Sequence, residues 1–533
     1  MRTRCVITGA AALALLGAGS PALAADSGPD LNRFYQQKVT WGKCTDLPDE
    51  TDGMQCAKVE VPVDYAAPDQ GTVKLAVNRI KASTSKPRGS VLLNFGGPGE
   101  STVTGLASAA KEFGDLTNGY DVVGFDPRGV GYSSPVTCGD GSDLPQLVPD
   151  AQGGFDLDEL LAFLQKSYKV CEKHSPPVLH HMGTVNVSRD MDVLRSVLGD
   201  KKLNYLGFSY GTRLGAVYTA QFPKRVGRMV LDGVDTLTEP LTEQALVGAE
   251  GQQTALDNFV TWCSSNAGCA LGANSRDAKQ NIRRVINQLY EAPVTTEDGQ
   301  VFAGSDLVAS LGKALYSRSM WPYLSQALTS LIADGDPRSL MRISGTLMPP
   351  TDPTDGALLP SVSPVVSPIS AGRAEAEPME IPMDNSGAAL VAVNCADDPD
   401  RPTAKDLQNE AKIEELERQF YEASPIFGPE SLLHVLSCYG YPKGTDYIRE
   451  IKDVNTPKFL LVGTRGDPAT PYQWTTETAA VLGDSAVVLD NRGEGHTGYS
   501  SSKCVHNKVN DFLLYGSLPR TGSSCGSDGS DSG

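Results

Sequence analysis

A chain of 533 residues with 40% hydrophobic and 21% charged positions can bury a large core, in two or three domains or in one domain with a big insertion. Its formal net charge of −18 and pI near 4.8 argue against nucleic acid or an anionic membrane as partner, suit cationic ligands, and keep an exported protein soluble.

At the N-terminus Arg2 and Arg4 precede an apolar run over 6–18 and then Ala22-Leu23-Ala24. This is the pattern of a signal peptide cut after Ala24. No later stretch reaches the ~18 apolar residues of a membrane span, so the expectation is a secreted, soluble monomer. Eleven cysteines become ten once Cys5 leaves. An even count in an exported chain fits a disulfide set. Close spacing suggests Cys44–Cys56, Cys138–Cys171, Cys263–Cys269, Cys395–Cys438 and Cys504–Cys525, although sequence leaves the connectivity open. The competing reading is a metal site; no C-x2-C pair and no His at ligand spacing supports it. Neither metal nor cofactor is expected.

Residues 25–70 read as an irregular arm stapled by its two cysteines, and 73–80 as a half-buried strand. The run 90–95 suits a strand covered on both faces, and it ends in Gly96-Gly97-Pro98-Gly99. A glycine-rich turn at the carboxyl end of such a strand lets backbone N–H groups face a ligand, as an oxyanion hole requires. A strand over 120–125 follows, leading into Asp126-Pro127-Arg128-Gly129-Val130-Gly131, where Asp126 and Arg128 are expected to pair and stiffen the loop. The excursion 138–182 holds a helical pattern over 157–168 and then His174, His180 and His181 on a Pro-containing surface segment. An amphipathic helix over 184–198 precedes the stretch around which the chain is organised, Leu203 to Thr212.

That stretch is a short buried strand running into Gly207-Phe208-Ser209-Tyr210-Gly211 and then into a helix. With 54 glycines in 533 residues, two flank a given serine at this spacing about 1% of the time. The tail holds such a chance match, Gly522-Ser523-Ser524-Cys525-Gly526, with no strand before it and no helix after it. Strand–turn–helix context is what makes Ser209 a candidate nucleophile. A covered strand over 226–234 completes an alternation that implies a parallel α/β sheet.

From 235 the pattern changes to helices over 241–263, 276–289 and 307–332, then a Pro-rich stretch over 348–383, Val391 to Asp398, and a helix over 405–423. This block reads as a lid that shapes the substrate pocket. The sheet resumes over 457–463, followed by Gly466-Asp467-Pro468-Ala469-Thr470-Pro471; a strand over 486–489 leads to Gly495-His496-Thr497, and a helix over 503–514 closes the core. The expected fold is therefore α/β, of the α/β-hydrolase type, a mostly parallel sheet flanked by helices with a large helical insertion. Its segments are a signal peptide 1–24, core 25–234, lid 235–454, core 455–520 and a tail 521–533, disordered except where Cys525 ties it down.

Ser209, Asp467 and His496 follow the order nucleophile, acid, base, each beyond a strand end. A serine hydroxyl attacks only when a base takes its proton, and the base needs a carboxylate to hold its tautomer. Asp490, ending the next strand, is the rival acid; Asp467 sits on a turn able to point back across the sheet edge. Oxyanion donors are expected from the N–H groups of Tyr210 and Gly97, with Gly96 as the fallback.

Together these motifs resemble the secreted actinobacterial tripeptidyl aminopeptidases, α/β-hydrolase serine peptidases related to prolyl aminopeptidase. The resemblance runs from about Trp41 to Cys504. It implies hydrolysis of peptides from a free N-terminus through an acyl-enzyme on Ser209, with carboxylesterase activity on the same machinery as the alternative and a silent binding protein as the remote one. The family often continues Gly-Gly-Pro-Gly with Gly-Ser, whereas here Glu100 precedes Ser101, a carboxylate that either bears on substrate preference or faces solvent. The family's Cys-x-Asp element is matched by Cys395-Ala396-Asp397. This makes Asp397 the candidate to hold a substrate α-ammonium by a charge-assisted hydrogen bond.

Overall fold

The computed structural model describes residues 29–45, 47, 53–147, 156–346, 381–399, 403–407, 409–442, 444, 447–526 and 531–532. The signal peptide, its cleavage site and most of the 348–383 stretch lie outside these residues.

The strands, in chain order, are β1 (Gly42–Lys43), β2 (Gln55–Pro62), β3 (Thr72–Ile80), β4 (Ser90–Asn94), β5 (Asp121–Phe125), β6 (Leu203–Phe208), β7 (Val226–Asp232), β8 (Val294–Thr295), β9 (Val301–Phe302), β10 (Phe459–Gly466), β11 (Ala486–Glu494), β12 (Ser524–Cys525) and β13 (Asp531–Ser532). All but the β8–β9 hairpin join one sheet in the order β1-β2-β3-β5-β4-β6-β7-β10-β11-β12-β13. From β5 through β12 neighbours run parallel; β1, β2, β3 and β13 add antiparallel margins.

The apolar runs of the parallel strands follow from cover on both faces. In β4, Leu92 packs with Met191, Leu194, Leu214 and Val217 from the helices Thr184–Val197 and Tyr210–Gln221. Its neighbours Val91 and Leu93 point the other way, toward Val505, Val509 and Phe512 of the helix Lys503–Tyr515. Successive side chains alternate across a strand, so each face recruits its own helices. The carboxyl ends of β4, β6, β7, β10 and β11 consequently line up along one rim.

The insertion has its own apolar core. Phe259, Ile282, Leu311, Trp321, Leu328 and Phe427 share a cluster separate from the sheet's. The helix Asn385–Asp397 and the turn Tyr447–Glu450 behave differently: Ala389, Ala392, Val393 and Ile448 pack into the main sheet cluster. Both segments fall within the stretch 235–454 expected to form the lid, yet they pack with the sheet.

Several expectations need correction. The arm over 25–70 contains β2, which pairs residue by residue with β3, burying Val59 and Val61 while Lys58 and Glu60 alternate with them. The helix expected over 307–332 is two helices, Gly304–Leu315 and Trp321–Asp334, separated at Tyr316 and Ser317 and a short 3-10 turn, with Pro322 in the first turn of the second. Asp126 and Arg128 do not pair. Asp126 accepts from the N–H groups of Val103 and Tyr132 (both 2.9 Å) and from Ser101 Oγ, whereas Arg128, fully buried, turns away to Asp190 at 2.6–2.7 Å. Each stiffens the loop through other elements. Where Cys525 ties the tail down, as expected, Ser524–Cys525 form a buried strand that extends the sheet beside β11. Sulfur atoms meet in five pairs: Cys44–Cys56, Cys138–Cys171, Cys263–Cys269, Cys395–Cys438 and Cys504–Cys525.

Candidate active site

Ser209 follows β6 directly and holds φ 54°, ψ −127°, a strained conformation for a side chain with a Cβ. Its N–H donates to the Asp232 carbonyl at 3.0 Å, and the helix Tyr210–Gln221 begins at the next residue. The motif glycines are required by close approach. A Cβ on Gly207 would stand 2.5 Å from the Gly211 carbonyl oxygen, and one on Gly211 would stand 2.7 Å from that of Asn94. This is the sharp strand-to-helix turn that lifts a nucleophile above a sheet edge.

Beyond β10, the buried Asp467 carboxylate accepts from the N–H groups of Ala469 (2.9 Å), Thr470 (2.8 Å) and Thr497 (3.0 Å). His496 Nδ1 lies 2.8 and 3.0 Å from its two oxygens. A carboxylate only accepts, so Nδ1 carries the proton and the Nε2 lone pair is left to act as base. Burial opposes charge on both groups, but their mutual attraction wins: the His496 pKa is raised and that of Asp467 lowered. Asp490, the rival acid, is engaged by Arg465 at 2.8 and 3.1 Å. Ser209 and His496 flank Gly233, at which a Cβ would be 3.4 Å from the imidazole Cε1. No Ser209–His496 hydrogen bond forms, and such bonds commonly tighten only when substrate binds.

On the other side of Ser209, the turn after β4 takes positive φ at Gly96 (91°), Gly97 (104°) and Gly99 (107°). Gly96 packs on Ser209: a Cβ there would be 2.5 Å from the Phe208 carbonyl oxygen and 3.0 Å from Ser209 Cβ. Its N–H is already donated to Asn94 Oδ1 at 3.0 Å. Among the described residues the N–H of Gly97 has no such partner, and that of Tyr210 lies in a helix's first turn, where N–H groups lack intrahelical acceptors. The turn thus favours Gly97 over Gly96.

Two family models match: one described as alpha/beta hydrolase fold over residues 89–336 and one as TAP-like protein over 424–525. The chain is 32% identical to Serine protease Hip1 of Mycobacterium tuberculosis, across 92% of this chain and 91% of that protein. It is a TAP-like α/β-hydrolase. The Tripeptidyl aminopeptidase of Streptomyces coelicolor is 29% identical across 91% of this chain and 85% of its own. Carboxylesterase B of M. tuberculosis is 30% identical across 91% and 89%. Like these relatives, this TAP-like hydrolase spans nearly the whole length on which they are compared.

Of the two residues expected to bind substrate, Asp397 is buried and hydrogen-bonded within the protein. Its buried carboxylate accepts from Thr184 N (2.7 Å) and Thr184 Oγ1 (2.5 Å), capping the helix Thr184–Val197, and lies 3.8 Å from the Arg213 guanidinium. Arg213 is itself paired with Asp235 at 3.0 Å, so its charge is shared between two carboxylates. Through Thr184 Oγ1, 2.7 Å from the Tyr210 hydroxyl, Asp397 braces Tyr210, the expected oxyanion donor. Glu100 is exposed on the turn. Its Cγ is 3.4 Å from the position of a Cβ on Gly97, and its Oε1 accepts from Ser386 Oγ at 3.0 Å. The three clustered histidines lie away from this site, His174 at 2.9 Å from Asp143 and His180 at 3.6 Å from Glu172.

Sequence reasoning missed two neighbours of His496. Asp232, fully buried at the end of β7, accepts from Gly498 N (2.9 and 3.0 Å) and Tyr499 N (2.7 Å), fastening the loop that carries His496. Burial pushes its carboxyl up to about 7. An acidic residue closing an otherwise apolar strand was the available signal. Tyr316, at the break between two insertion helices, accepts from the His496 N–H at 2.8 Å through its carbonyl and sets its ring edge-on to the imidazole, centroids 5.0 Å apart. Ser317 bridges Gly495 in the same place. The sequence held no signal for this contact beyond a helical pattern too long to be unbroken.

Proposed function

We propose that this hydrolase is an exported serine exopeptidase that releases short peptides, tripeptides in particular, from free N-termini. The observation that carries the reading is the convergence of a Ser209 elbow, an Asp467–His496 pair and the free Gly97 and Tyr210 N–H groups on one sheet rim. His496 Nε2 takes the Ser209 proton as Oγ attacks the scissile carbonyl, and the two N–H groups stabilise the oxyanion. The imidazolium, paired with Asp467, then protonates the leaving amine. Water, deprotonated by the same imidazole, releases the acyl group.

An exopeptidase must hold an α-ammonium. Glu100 is the candidate: it is exposed beside Gly97, anchored by Ser386, and without an ion-pair partner among the described residues. A solvent-facing pair of this kind contributes about 1 kcal/mol, roughly fivefold in KM. The insertion, tied to the base through Tyr316, is assigned the choice of substrate. Export is supported by the five disulfide pairs and the N-terminal pattern; among the described residues no helix is long and apolar enough to cross a membrane. Carboxylesterase action is the second reading, favoured by the relative of that name.

The test is hydrolysis of tripeptidyl, monoaminoacyl and N-acetyl-tripeptidyl anilides beside a short-chain ester. The exopeptidase reading expects the free tripeptidyl anilide to be cut fastest and acetylation to raise KM severalfold, less so in Glu100→Gln. Rapid turnover of the ester alone establishes the esterase reading instead.

A further inference from the structure

The amino-terminal ends of the parallel strands, opposite the catalytic rim, surround a groove of about 700 Å³. Arg88 stands just before β4, Lys201 and Lys202 just before β6, Arg228 near the start of β7 and Lys458 just before β10. Five cations thus line one concavity, with Asp200 as the one carboxylate among the lining residues. This is the reverse of the molecule's charge balance, −18 overall. Like charges cost free energy to assemble, and a concave wall focuses their field.

None of the five forms an ion pair with an acidic side chain among the described residues. The arginines are held in place from behind. Arg228 Nη1 donates to the Leu513 carbonyl at 2.6 Å and Arg88 Nη1 to that of Leu514, both in the last turn of the helix Lys503–Tyr515. Their Nε and Nη2 donors have no partner among the described residues. Asp200 is engaged by the backbone, accepting from the Ser90 N–H at 2.9 Å, and is half-buried against Gly89. Lys201, Lys202 and Lys458 are exposed. Two fixed planar guanidiniums beside three mobile ammoniums form a lining suited to an anion with several phosphate groups, bidentate at arginine and point-charge at lysine.

We propose that this groove is a binding site for a short anion carrying two or more phosphate groups, remote from and independent of the catalytic rim. The acidic remainder of the surface repels a long or planar polyanion, so the ligand is one compact enough to lie within the groove, not a membrane face. A single phosphate engages too few of the cations.

The probe is inorganic tripolyphosphate, titrated into the intact protein by calorimetry, beside orthophosphate and vesicles of anionic phospholipid. The expected result is saturable sub-millimolar binding of tripolyphosphate at about 50 mM salt, weakened roughly tenfold or more by about 200 mM, since exposed charges are screened within a Debye length. Orthophosphate should bind much more weakly and vesicles not at all. The variant Lys201→Gln/Lys202→Gln/Lys458→Gln, altered only at exposed positions, should lose roughly tenfold or more in affinity while hydrolysing a neutral ester at the unchanged rate. Absence of binding, binding insensitive to the three substitutions, or preference for vesicles or for orthophosphate overturns the proposal. The ester rate reports the catalytic reading separately, so the two can fail independently.

Discussion

Asp467→Asn is the substitution for which the structure dictates the outcome in most detail. Asp467 Oδ1 accepts from the N–H groups of Ala469 and Thr470, which a turn holds fixed, and Oδ2 accepts from that of Thr497. An asparagine keeps its one acceptor oxygen on the double-donor side, which places its NH2 where Oδ2 was. Nδ1 then lies between the retained oxygen (2.8 Å) and this NH2 (3.0 Å), which also opposes the Thr497 N–H. When Nδ1 accepts from the NH2, the ring proton moves to Nε2, the atom that has to receive the Ser209 proton. Loss of the correct tautomer in a triad of this geometry costs about 10⁴ in kcat, roughly 5 kcal/mol of transition-state stabilisation. The opposed Thr497 N–H loses its acceptor in a site that is 3% exposed, destabilising the fold by about 1–3 kcal/mol. The assay is kcat for a neutral ester with KM measured alongside, and urea unfolding as the stability control. A loss below tenfold in a folded protein, or an equal loss in Asp490→Asn, refutes the reasoning.

Two further outcomes follow from the same site. Because Asp467 raises the His496 pKa above its ordinary 6.5, kcat/KM should rise with pH to a midpoint above 6.5, and that midpoint should move down in Asp467→Asn. The pair's stabilisation through His496 is full below 6.5 and lost as pH rises through the folded value; through Asp467, lowered from 3.8, it is present above 3.8 and lost as pH falls through the folded value. Urea midpoints between pH 3 and 9 check both limbs. Gly495→Ala places a Cβ 2.8 Å from the Tyr316 carbonyl oxygen at φ 96°, so it should lower kcat at least tenfold with a smaller change in KM, as expected when a base is displaced.

What could be read in advance was whatever depends on local pattern. Covered parallel strands are apolar on both faces, so 90–95, 203–208 and 457–463 stood out, and the loops beyond them carried Gly97, Ser209 and Asp467. Pairings that depend on distant partners did not show. Gln55–Pro62 is a strand because β3 lies beside it, and Arg128 finds Asp190 because a helix brings it within reach. Asp397 matched a motif, but its bonds to Thr184 reach across the fold and left no local sign. The break at Tyr316 and Ser317 is visible only once the insertion is folded over His496.

The central claim is that turnover passes through an ester on Ser209. It is tested most directly by quenching the enzyme in acid during hydrolysis of an activated tripeptide ester and mapping the acylated residue by mass spectrometry. The account predicts a tripeptidyl adduct on Ser209, absent from Ser209→Ala, with turnover abolished in that variant. An adduct elsewhere, or undiminished hydrolysis by Ser209→Ala, would contradict it.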